Sequence, residues 1–143
     1  METMDEPYRP VVTTQAELEA VWRHLMSPLG FRGRSIWMMR IAADRRAVPQ
    51  LLEIVECDEP PGPDERAGLV EVLAQLDTDD PGGSFAFLRS RPGRVIEDTD
   101  RAWAAALTEA GRDAGVCLEV VHLATDDDVT AVPLDEIGLR RPA

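Results

Sequence analysis

The run Phe85-Ala-Phe-Leu-Arg-Ser-Arg-Pro-Gly-Arg94 constrains the fold more than any other stretch of the chain. It continues as Val95-Ile-Glu-Asp-Thr-Asp-Arg-Ala-Trp103 and an alanine-rich segment to Gly115. It reads as a buried strand, a turn carrying three arginines, and a helix. Strand ends and helix N-termini converge at such turns, so a site would sit here in an enzyme. Yet the stretch holds no histidine, no cysteine and no glycine-rich phosphate loop. It specifies an α/β domain without disclosing a reaction.

The flanking sequence supplies the other elements. Thr14-Gln-Ala-Glu17 fits a capping box, and Leu18, Val21, Trp22, Leu25 and Met26 follow at helical spacing. Ser27-Pro28 ends that helix. Residues 35–43 are apolar on both faces, as a central strand requires, and 47–55 return as a second strand of a hairpin. Pro49 places the second strand at a sheet edge. A rigid loop over 57–63 precedes a helix from about Asp64 to Leu76, and residues 84–89 form the third strand. The helix after the arginine turn starts near Thr99, which can cap it. Gly115 suits a left-handed stop. Residues 116–123 read as one further strand, and 129–132 pair back on it. The expected architecture is a single α/β (α+β) domain, a mixed sheet of about five to six strands packed by three helices. Its bounds are a flexible arm over 1–12, the domain over 13–133 and a C-terminal tail over 134–143.

Composition narrows the function classes. A net charge of −12 argues against a general nucleic-acid binder or an anionic membrane surface. All 15 basic residues are arginine, and Ala, Gly and Pro are also plentiful, as in a GC-rich genome. No apolar run approaches the roughly 18 residues of a membrane span. The first residues are acidic, unlike a signal peptide, and two cysteines make no disulfide framework. These features lead us to expect a cytoplasmic protein with reduced thiols.

Ligand chemistry is sparse. His24 and His122 are far apart in sequence, and Cys57 and Cys117 are single, so no zinc site is expected. Asp77, Asp79 and Asp80, and again Asp126, Asp127 and Asp128, precede or occupy turns and do not follow a spaced calcium loop. Cys57 sits in an acidic, proline-rich loop that raises a thiol pKa. The remaining candidate is an anion site made by Arg89, Arg91 and Arg94 at the start of the following helix, with Thr99. Glu97, Asp98 and Asp100 follow at once and offer surface ion pairs instead.

Pro92 after Arg-Ser-Arg, Thr99 opening a helix, Gly115 ending it and a closing hairpin over 116–132 together resemble the JAB/JAMM (MPN) metalloprotease fold, in particular its RadC-type bacterial branch. That family carries His-x-His-Pro at the strand end, then a helix opening with Ser and an Asp one turn later. Here Arg89 and Arg91 stand at the histidine positions and Ala102 at the aspartate, and Glu53 is nearest to the family's catalytic glutamate. The resemblance implies a mixed sheet between helices and a catalytically dead site, since two arginines repel a metal. It implies no cofactor, and a scaffold or dimer module working through an unidentified protein partner or a second copy. The alternative is a small-anion or nucleotide binder using the arginine turn. Metal-dependent hydrolysis through the aspartate clusters is the third and weakest reading.

Overall fold

Helix α1 (Gln15–Met26) starts as its sequence requires. Thr14 Oγ1 accepts the Glu17 N–H at 3.1 Å, and Glu17 Oε1 accepts the Thr14 N–H at 3.0 Å. Satisfying these otherwise orphaned donors is worth on the order of 1 kcal/mol. Leu18, Val21, Trp22 and Met26 make the buried face. The computed structural model describes residues 9–133. The tail expected over 134–143, and residues 1–8 of the arm, lie outside them. The inner end of that arm is docked rather than loose. Val12 is fully buried. Its N–H donates to the Arg45 carbonyl at 2.7 Å, and the Ala47 N–H reaches the Pro10 carbonyl at 2.9 Å. An apolar side chain within reach of an open strand end explains the difference, and packing therefore begins before residue 13.

Among the described residues six strands form one mixed sheet: β1 (Ser35–Ile41), β2 (Ala47–Ile54), β3 (Ser84–Ser90), β4 (Cys117–Leu118), β5 (His122–Ala124) and β6 (Val129–Ala131). With α2 (Pro63–Asp79) and α3 (Asp98–Ala114) they give the expected single α/β domain with three helices. The order is β2-β1-β3-β5-β6, with β4 also paired to β3. β1 runs antiparallel to both its neighbours, β3 lies parallel to β4 and β5, and β6 folds back antiparallel on β5. Pro49 sits on edge strand β2, where a residue without an N–H costs no ladder bond.

The single strand expected over 116–123 is divided. Phe85 pairs with Leu118, but Leu88 pairs with His122. One extra residue on the later strand intervenes, and this bulge separates β4 from β5. Alternation along β3 then sorts the core into two layers. Phe85 and Phe87 join Ile36, Met38, Trp103 and Leu107 under α2 and α3. Ala86 and Leu88 join Met39, Ile41, Leu18 and Trp22 under α1. Arg40 of β1 closes the C-terminus of α2: its Nη1 donates to the Leu76 carbonyl at 2.6 Å, and its Nη2 to the Asp80 carbonyl. A cation there complements the helix dipole. Among the described residues no helix is long and apolar enough to cross a membrane.

Candidate functional site

β3 is buried along its whole length, so its two terminal polar residues must find partners. Ser90 faces α1 and accepts the Trp37 Nε1–H at 2.8 Å. Arg89 shares the opposite face with Phe85 and Phe87 and meets the start of α3. Its Nε donates to Asp100 Oδ1 at 2.8 Å and its Nη1 to the Cys57 carbonyl at 2.6 Å. Arg91, just past the strand, takes the same carboxylate from the other side. Its Nε reaches Oδ1 at 2.8 Å and its Nη2 reaches Oδ2 at 2.6 Å. The Arg89, Arg91 and Asp100 side chains are 2 %, 3 % and 0 % exposed, so this is a buried triad and not the surface pairing anticipated from sequence. Glu97 stands 3.3 Å from Arg91 and brings a second, half-exposed carboxylate. Burial pushes the Asp100 carboxyl up, but hydrogen bonds from Arg91, the Glu97 N–H and Arg89 outweigh it and hold the pKa below the usual carboxylate value.

The helix start differs from expectation at Thr99. α3 begins at Asp98, and Glu97 is the cap, paired reciprocally with Asp100. Asp100 Oδ2 accepts the Glu97 N–H at 2.7 Å. A carboxylate drawn in by two arginines caps better than a hydroxyl two residues late, so Thr99 lies within the first turn. Arg94 diverges from the other two arginines. It is 77 % exposed, 3.5 Å from Asp127. Thus the turn unites Arg89 and Arg91 but gives them an internal anion. Nη2 of Arg89 and Nε1 of Trp103 are buried without an acceptor, the guanidinium lying 5.8 Å from the indole ring centre. Asp126 fixes the outer turn by accepting the Gly93 N–H at 2.9 Å and the Phe31 N–H at 3.3 Å. These bonds keep the Asp126 pKa low.

The other candidates stay apart. Glu53 accepts the Ser35 hydroxyl at 2.7 Å. It pairs with Trp37, which pairs with Leu88, so it lies on the α1 face, across the sheet from Arg89. Ala102 is exposed on α3, and Asp100 holds the inward position instead. His122 is completely buried rather than partly so. Its Nδ1 lies 3.1 Å from the Val120 carbonyl, and burial pushes its pKa down. The Cys57 thiol pKa is raised, chiefly by burial rather than by its acidic loop. Among the described residues, no three metal-ligating side chains converge.

A second region emerges at the sheet edge, and sequence reading missed it. α2 and α3 do not extend over β2, which leaves Leu52 and Ile54 more than half exposed, with Val55 beside them. A cavity of about 170 Å³ adjoins this edge. Ile36, Phe87, Leu69, Trp103 and Leu107 form its apolar wall, and Ile54 and Val55 join it to β2. Glu56, Glu59 and Glu65 also line it and are exposed. The signal available in the sequence was the apolar content of an edge strand carrying a proline.

No known family matches the chain, and neither a curated protein nor a solved structure matches it significantly.

Proposed function

We propose that the chain is a non-catalytic JAB/RadC-like α/β domain that acts through protein contacts, in a reducing cytoplasmic setting, and that β2 makes the contact. The observation that carries this reading is the exposure of Leu52, Ile54 and Val55, at 57 %, 52 % and 61 %, along a sheet edge that, among the described residues, is unpaired beyond Ala47, whose N–H is taken by the Pro10 carbonyl of the arm. An edge strand presents free N–H and C=O groups that a partner can pair. Covering the exposed half of three such side chains contributes about 1 kcal/mol each. The arginines at the positions of the resembled family's metal ligands support the non-catalytic part, because they bring positive charge and both are turned onto Asp100.

A photo-cross-linking residue at position 52 tests the contact, with position 95 on the arginine turn as control. Cross-links to protein from 52 and not from 95 are expected, together with no heat on zinc titration and no peptidase activity. Stoichiometric zinc binding with peptidase activity would sink the reading.

The alternative, a small anion or nucleotide at the arginine turn, has in its favour the unpartnered Nη2 of Arg89. It requires a melting-temperature shift with sulfate or nucleotide that Arg91→Ala and Arg94→Ala reduce.

A further inference from the structure

The β2 edge has a charge character that specifies its partner. Residues 51–72 carry seven acidic residues against one arginine, a net −6 and half of the chain's −12. All seven acids (Glu53, Glu56, Asp58, Glu59, Asp64, Glu65, Glu71) are exposed. The nearby cations pair with acids other than Glu56, Glu59 and Glu65. Arg66 donates to Glu109 at 2.7 Å and to Asp113 at 2.8 Å on α3, and Arg34 reaches Asp58 at 3.4 Å. Among the described residues, no cation lies within ion-pair distance of Glu56, Glu59 or Glu65. Three carboxylates therefore stand at a cavity whose wall is otherwise apolar.

A long basic side chain suits this combination, with an alkyl stem for an apolar wall and a charged head for an acidic mouth. A second copy of the chain does not suit it, because pairing β2 with its twin sets −6 against −6. Resting on the protein-contact reading of β2, we propose that this edge takes up an extended basic segment of a partner protein. The segment's backbone pairs with β2, and one of its Lys or Arg side chains lies with its stem in the cavity and its charge among Glu56, Glu59 and Glu65. Strand addition supplies affinity through the main chain and selectivity through the pocket for an alternate side chain.

Panning a displayed library of random decapeptides against the full chain tests this, with Glu56→Gln/Glu59→Gln/Glu65→Gln as the counter-selecting variant. All three substitutions are on exposed side chains, and an unchanged melting temperature confirms the fold. The expected pool alternates apolar residues with Lys or Arg. Its members bind the variant about tenfold more weakly at low salt, the sum of three exposed charge pairs. The gap closes in 1 M salt, where the screening length is about 3 Å. Enrichment of neutral or acidic peptides, no enrichment, or equal binding to the variant overturns the proposal. A cross-link from position 52 to a neutral strand or to a second copy overturns the basic partner and leaves the protein-contact reading intact. No cross-link from position 52 overturns both.

Discussion

Asp100→Asn keeps the side-chain shape and removes the charge. In the folded chain Asp100 accepts hydrogen bonds from Arg89 Nε, Arg91 Nε, Arg91 Nη2 and the Glu97 N–H. Its loss strands two guanidinium groups that water does not reach. Removing one partner of a buried pair costs about 3–5 kcal/mol. The amide oxygen retains part of the acceptor role, and Glu97 remains 3.3 Å from Arg91, so the low end, about 3 kcal/mol, is expected. At about 3 °C per kcal/mol for a chain of this size, the melting temperature falls by about 10 °C at pH 7. Urea unfolding should show a lower midpoint with an unchanged slope. Adding Arg89→Met removes one stranded cation and should recover at least about 1 kcal/mol. Acid adds a second readout. The folded pKa of Asp100 lies below its unfolded value. Its stabilisation is therefore fully present above about pH 4 and lost as pH falls through the folded value. The variant lacks that loss, so the two stability curves converge in acid. A cost under about 1 kcal/mol at pH 7, or curves that stay parallel, would refute the buried triad as the element that closes the turn.

Three further outcomes are expected. Gly83→Ala places a Cβ against the Ile41 carbonyl in the backbone of β1, and thermal unfolding should show a loss of at least about 2 kcal/mol. Gly68→Ala lies inside α2 with open space around it, and the same assay should show a gain of about 0.5–1 kcal/mol. His122 is held neutral by burial, its pKa below the unfolded value despite opposing effects of Glu19 and the Val120 carbonyl. Wild-type stability should therefore decline from about pH 6.5 downwards as the unfolded chain gains a proton the folded chain refuses. His122→Leu should be flat over pH 7 to 5 in denaturant titrations, and an unchanged slope there would remove His122 from the account.

The inward direction of Arg89 was legible in the sequence. A period of two along 85–89 sets it on the face of Phe85 and Phe87, and a guanidinium sent into an apolar layer must find a carboxylate. Which carboxylate it finds depends on where α3 starts, since Glu97, Asp98 and Asp100 all follow within a few residues. Taking Thr99 as the cap leaves Asp100 one residue into the helix and pointing outward. With Glu97 as the cap, Asp100 becomes the third helical position, whose side chain turns back toward the cap. A slip of two residues in one helix boundary thus separates an open anion site from a closed triad. For β2 only the edge position was legible, from Pro49 in an apolar strand; its exposure was not, because that depends on how far two helices reach across a sheet, which local pattern does not encode. The single strand expected over 116–123 fails for a related reason: the bulge between Leu118 and His122 is a mismatch with β3, visible only once the two strands are paired. The two regions are linked through Cys57. Its carbonyl accepts Arg89 inside the core, while Glu56 beside it lines the cavity at the β2 edge. Glu56 itself has a left-handed backbone, φ 60°, uncommon for a residue with a side chain. The cation that closes the arginine turn therefore also holds the carbonyl next to this bend. Asp100→Asn, by releasing Arg89, should therefore weaken basic-peptide binding at β2 although no residue of the edge has changed, and unchanged binding would refute the coupling.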